Sequence, residues 1–202
     1  MMKASKKILK KIEAGDFPAN EMLETEVRRR RRKQSFSYAL RSTIYTLVTV
    51  AAVSVLVAVL LLPVLEIFGE SMGPTLNKGD FVVSVKGSSL DTGDVCAFYY
   101  NGQILVKRVI AKAGDWVDIK EDGTVYVNEN KLDEPYVSEL ALGECDIELP
   151  FQVPESRIFV MGDHRETSID SRNTAVGCVA EEQIVGRIVL RVWPLNAFGI
   201  VE

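Results

Sequence analysis

Histidine is almost missing from this chain: His164 is the only one among 202 residues. That leaves little from which to build a zinc centre, and no metal site is expected. Cysteine is scarce as well. Cys96, Cys145 and Cys178 are odd in number, widely spaced and without a CxxC. One disulfide stays open for an exported domain, although small buried hydrophobes are the favoured reading. No internal repeat and no low-complexity segment occurs beyond one run of arginines. The length suits one domain with a tail and an anchor, and excludes two full domains.

Charge is absent from Ser42 to Leu65, between Arg41 and Glu66. About 20 apolar residues are enough for a helix to cross the hydrocarbon core, so 42–65 is expected to be a transmembrane helix. A buried core helix is the alternative, disfavoured because soluble helices rarely stay uncharged for so long. A cleaved leader is disfavoured too, since such cores span roughly 7–15 residues. Pro63 is either tolerated in the helix or marks its exit. Residues 1–42 hold twelve cations against five carboxylates, a net +7, which leaves −11 for the remainder. The positive-inside rule then makes 1–41 a basic cytoplasmic tail and 66–202 an extracytoplasmic domain. Arg28–Arg32 with Lys33 also reads as a nuclear or nucleic-acid patch. Its place directly before a span favours the topological reading, and no nucleic acid is expected as partner. Within the tail, an amphipathic pattern near Lys3–Ile12 and the charged segment around Arg28 predict a loose helix or disorder.

Beyond Asp80 the pattern is mainly β. The stretches 81–85, 95–100, 104–113, 116–120, 124–128, 157–162 and 186–192 are rich in β-branched and aromatic residues, and turn signals separate them. Asn101–Gly102 predicts a type I′ hairpin. The expected fold is a mainly antiparallel β-sheet domain with few helices. Residues 132–154 read as loop, within an insert at about 123–155, and a short helix is expected near Ala180–Ile184.

Three segments carry chemistry. Ser71 lies about six residues past the apolar run, within reach of the membrane surface. Lys107 sits in the apolar strand ILVKRVIAKA. Alternation puts Leu105, Lys107 and Val109 on one face and Val106, Arg108 and Ile110 on the other, so one of the two cations shares a face with apolar residues. A lysine there loses hydration, its pKa falls, and the neutral amine can activate a serine hydroxyl. The competing reading is a lysine that snorkels from a strand edge. The third segment, from Gly162 to Arg172, is a dense polar loop. It reads as a hydrogen-bonded site loop, or as a solvated one with an Asp170–Arg172 pair.

These segments, SMGPTL at 71–76, KRVIAKAGD at 107–115 and GDHRETSIDSR at 162–172, resemble the boxes SMxPTL, KRVxxxxGD and GDxRxxSxDSR of bacterial type I signal peptidases. GDVCAFYY and DGTVYVNENKLDEPYV are similar to further parts of that family. The resemblance runs from Ile67 to nearly the end of the chain. It implies Ser71 as nucleophile, Lys107 as general base, Ser168 as the hydroxyl that orients the amine, Asp170 and Arg172 as a supporting ion pair, and Met72 in the substrate cleft. The Ser71 backbone N–H would supply part of an oxyanion hole. A second donor stands in some members two residues before the nucleophile, where this chain has Gly69. His164 replaces a frequent asparagine and receives no role.

The resemblance further implies a membrane-anchored serine endopeptidase that removes signal peptides after an A-x-A site and needs no cofactor. Its partners would be exported preproteins and the lipid bilayer, and a monomer is expected. Phe68 and 192–198 are candidates for the interface, with core packing the alternative for Trp193. The rivals are a Ser-His-Asp triad through His164, a sortase-like transpeptidase through Cys178, a self-cleaving repressor of related fold, and a tethered binding or assembly module without catalysis.

Overall fold

The computed structural model describes residues 6, 9–10, 12–15 and 20–201. The amphipathic pattern near Lys3–Ile12 falls largely outside them. Two units emerge, 1–56 and 57–202.

The helical unit is dominated by one helix, α1, Asn20–Leu61. The arginine run lies inside it, so one helix covers both the charged segment and the apolar run. A stretch within 27–60 reaches a mean hydropathy of 2.3 and is wholly exposed. Exposed Leu, Val and Ile at this density suit a lipid surrounding. The helix stops at Leu61, four residues before the end of the uncharged run. Pro63 accounts for this: it disfavours helix in the residue before it, and Val64–Glu66 already forms strand β1.

The second unit is mainly β and antiparallel, in two sheets. β2 (Phe81–Val85), β3 (Val95–Tyr100), β4 (Gln103–Ala111), β5 (Trp116–Ile119), β6 (Val125–Val127), β7 (Asn130–Lys131), β8 (Phe151–Gln152), β9 (Arg157–Met161), β10 (Val179–Ala180), β11 (Ile184–Trp193) and β12 (Gly199–Ile200) follow in chain order. The large sheet runs β1-β2-β11-β3-β4-β9-β10, with β12 paired to β11; the small one runs β7-β6-β5-β8. Asn101 and Gly102 both have positive φ, 47° and 76°, and join Tyr100 to Gln103 as the type I′ hairpin requires. The helix expected near Ala180–Ile184 is a 3₁₀ turn, Glu181–Gln183.

Alternation sets the layers. In β5, Val117 and Ile119 point inward while Trp116 is half exposed. They meet Ile110, Phe159 and Met161 from the large sheet in one core. Burying each such side chain contributes about 1.5–3 kcal/mol. A second core gathers Ile67, Met72, Leu76, Val82, Val95 and Ile188. It holds the segment between β1 and β2, where the candidate serine lies.

Candidate active site

Ser71 opens a turn, 71–75, that follows β1 by four residues. Met72 and Leu76, 2% and 0% exposed, press this turn into the second core, and the Leu76 N–H donates to the Met72 carbonyl at 2.9 Å. Arg191 Nη1 donates to the Thr75 carbonyl at 3.0 Å. The Ser71 carbonyl accepts the His164 N–H at 3.0 Å. The serine is thus fixed from its own turn, from β11 and from the loop 162–172.

Lys107 reaches this turn from β4. Its Nζ lies 2.6 Å from Ser71 Oγ, in hydrogen bond, and the residue is 4% exposed. Burial pushes the amine down from its usual 10.5 to about 8; Asp170 and Asp163 pull it upward and Arg172 downward. An amine neutral at mildly alkaline pH and in contact with a hydroxyl can take its proton.

Arg108, on the opposite face of β4, is buried even more deeply, at 1%. The sequence reading required one of these two cations to lie among apolar residues; in fact both do. Arg108 is made tolerable by partners that sequence reasoning missed. Its Nε and Nη2 donate to the two oxygens of Asp163 at 2.9 and 2.7 Å, and Nη1 donates to the Gly93 carbonyl at 2.6 Å. The Tyr136 ring lies 3.8 Å from its guanidinium carbon. Thr75 Oγ1 also donates to Asp163, at 2.5 Å. Asp163 therefore ties β4, the serine turn and the site loop together. The only sequence signal was Asp163 within the third box and Arg108 beside Lys107.

The expected Asp170–Arg172 pair is present and fully buried, with Nη2 to Oδ2 at 2.8 Å. Burial works to raise the Asp170 carboxyl, but the Arg172 guanidinium and the Gly162 N–H outweigh it and hold it below the usual carboxylate range. Arg172 also donates to the Leu142 carbonyl at 2.6 Å, and Arg165 pairs with Glu134 at 2.5 Å, both locking the long loop 132–150 onto the site loop. Ser168 is 1% exposed and helps to hold the Asp170 carboxyl down, and no hydrogen bond joins its Oγ to Lys107. Gly162 explains how closely these parts pack: a Cβ there would stand 2.3 Å from Ser168 Oγ and 2.5 Å from the Ser71 carbonyl oxygen. A Cβ at Gly69 would have nothing nearer than Ser71 Oγ at 4.0 Å.

A cleft of about 720 Å³ ends at Ser71 and Lys107. Its walls are 64–72 on one side, including Leu65, Ile67 and Met72, and Gln103–Lys107 on the other. Among the described residues β1 pairs only with β2. β4 meets β9 only from Arg108 onward, so its first five residues leave one edge unpaired. Two free strand edges therefore border the cleft.

Residues 40–193 match the family described as signal peptidase, peptidase S26. The chain belongs to this signal peptidase family. Over 150 residues, 64% of this chain and 77% of the relative, it is 40% identical to signal peptidase IB of Staphylococcus aureus (strain COL). It is 35% identical over 163 residues to the chloroplastic thylakoidal processing peptidase 1 of Arabidopsis thaliana, covering 72% of this chain and 46% of that one. A solved signal peptidase I from Enterococcus faecalis V583 aligns with a TM-score of 0.41 and 29% identity, over 50% of this chain and 97% of the other. This signal peptidase is a serine endopeptidase, a hydrolase whose substrates are preproteins with signal peptides. With its N-terminal apolar helix it is membrane-anchored.

Neither rival side chain is hydrogen-bonded to Ser71 Oγ among the described residues. His164 is exposed, and its Nδ1 meets Thr167 Oγ1 at 2.6 Å, while Ser71 Oγ is taken by Lys107. Cys178 is buried, and burial raises its thiol to about 11, which disfavours the thiolate a transpeptidase needs. All three cysteines are free.

Proposed function

We propose that this signal peptidase cleaves with a Ser71–Lys107 dyad. The carrying observation is the 2.6 Å contact between the Ser71 hydroxyl and a buried amine whose pKa is lowered to about 8. Neutral Lys107 removes the Ser71 proton, Oγ attacks the scissile carbonyl, and the protonated lysine then gives its proton to the leaving amine. The acyl-enzyme is hydrolysed by a water that Lys107 deprotonates in turn. The Ser71 N–H donates to the oxyanion. Asp170 and Arg172 hold the site loop, and Ser168, buried in that loop, is the hydroxyl that orients the amine.

The substrate lies extended in the cleft and hydrogen-bonds to the free edges of β1 and β4. Ile67, Met72 and Leu105 give the cleft an apolar lining, which suits the small side chains of an A-x-A site. The tail faces the cytoplasm and the β unit the other side, a reading that the +7 tail supports. Phe68, Phe81, Trp193, Leu195, Phe198 and Ile200 are all exposed, and Phe81 and Trp193 are cross-strand partners. Exposed apolar side chains of this kind suit the lipid interface.

The test is cleavage of a precursor by full-length protein in vesicles. Ser71→Ala and Lys107→Ala, each folded by circular dichroism, should leave the precursor intact. Wild-type rates from either variant would remove the dyad.

A further inference from the structure

Between Asp115 and Glu155 the chain carries twelve carboxylates and two lysines; elsewhere beyond Ser42 it carries eleven carboxylates and ten cations. Almost all the negative charge of the β unit therefore belongs to the small sheet and its long loop. Internal pairing absorbs little of it. Glu134 is held by Arg165, but Glu121, Asp122, Glu129, Glu139, Glu144 and Glu148 are exposed.

The outer face of the same sheet bears an open groove of about 760 Å³ that shares no residue with the cleavage cleft. Trp116, 48% exposed, Tyr126 and Pro150 form its apolar surface, and Asp118 and Glu129 contribute carboxylates. One cation of the chain already sits there: Lys120 Nζ lies 5.7 Å from the Tyr126 ring centre and 2.6 Å from Asp118 Oδ2. Among the described residues no cation stands over Trp116. An aromatic face beside a carboxylate attracts ammonium and guanidinium groups, and the surrounding acidic field concentrates them. A saccharide fits less well, because the neutral amide that would bind its hydroxyls is occupied: Asn128 donates to Asp115 and accepts the Trp116 N–H. A chelated metal fits less well too, since no group of three ligating side chains exists among the described residues.

We propose that this groove is a second binding site, taking a lysine- or arginine-bearing stretch of the preprotein away from the bond to be cut. Only the origin of the ligand rests on the peptidase reading. Glu129 and Pro150 flank the loop that Arg165 and Arg172 lock to the site frame, so a chain held in the groove is held on the same body as the dyad. Its cleavable bond is thereby concentrated near Ser71 without further contacts.

Two experiments decide this. In full-length protein with Trp193→Phe, Trp116 is the sole tryptophan, and its fluorescence is titrated with acetyl-tetralysine amide. A saturable change is expected, weakened by added salt and at least about fivefold weaker in Asp118→Asn/Glu129→Gln, with none from acetyl-tetraglutamine amide. No saturable change, or the same change from calcium chloride, overturns the proposal. Second, two precursors share one cleavage region and differ by four lysines or four glutamines in the mature part. Wild type should show about tenfold lower KM for the lysine precursor, equivalent to about 1.4 kcal/mol, and the double variant should treat the two alike. Equal KM in wild type overturns the proposal. If wild type cuts neither precursor, the peptidase reading falls instead, and the tetralysine titration still decides the groove.

Discussion

Lys107 and Arg108 are neighbours on β4, both almost fully buried and pointing to opposite faces, yet they are treated in opposite ways. Arg108 has a bidentate carboxylate, a backbone carbonyl and an aromatic ring around it. Lys107 has a serine hydroxyl, and the carboxylates that influence it, Asp170 and Asp163, are each engaged with their own arginine. A buried cation with full compensation is structural, because removing its partner leaves a charge without solvent or counterion. A buried cation without compensation sheds its proton, and a neutral amine is a base. Two adjacent residues of like charge therefore divide, by what surrounds them, into a tie and the group proposed to react.

The largest expected effect breaks the reactive half. Lys107→Arg should lower kcat/KM for a precursor by about 10³-fold or more, because arginine stays protonated; single-turnover cleavage measures it. Lys107→Met should abolish cleavage yet raise stability at pH 7, by on the order of 3 kcal/mol, in urea unfolding. The folded amine titrates near 8 and the unfolded one at 10.5, so the unfolded chain binds the extra proton between them. Wild-type stability accordingly rises with pH across that window, and below it the cost of the buried ammonium is present in full. Next comes the structural half: Asp163→Ala strands Arg108 and should reduce unfolding free energy by about 3–5 kcal/mol in urea unfolding. The pH profile sharpens the contrast. kcat/KM should climb about tenfold per pH unit below 8 and level off above it; a flat profile from pH 6 to 9 would mean that Lys107 is not the base. Smallest is Gly69→Ser. Its Cβ meets nothing closer than 4.0 Å, so the hydroxyl should add an oxyanion donor and raise kcat a few-fold, roughly threefold, well below the 10² that losing a preorganised donor costs.

Much of this was legible in the residues, and for identifiable reasons. Local signals were enough for β2 and β3, read at 81–85 and 95–100 and found there, and for Asn101–Gly102. The two-residue β7 escaped notice because its turn uses Asn128 and Glu129, both at positive φ, where a glycine would have advertised the bend. The serine and lysine were singled out because each sits in a short distinctive box, and the structure places them 2.6 Å apart. Arg108–Asp163 was not, since its partners are 55 residues apart and nothing local distinguishes a paired buried arginine from a snorkelling one. Glu134–Arg165 and the Tyr136 ring over Arg108 were hidden in the same way, inside a stretch read only as loop.

Gly162 leaves a mark on how this enzyme can diversify. With no space for even one added methyl group between the Ser71 carbonyl and the hydroxyl of Ser168, any side chain at that position must displace the Ser71 backbone and the Ser168 side chain at once. Libraries that seek new cleavage preferences should accept change at Leu65, Ile104 or Leu105, and return position 162 as glycine every time.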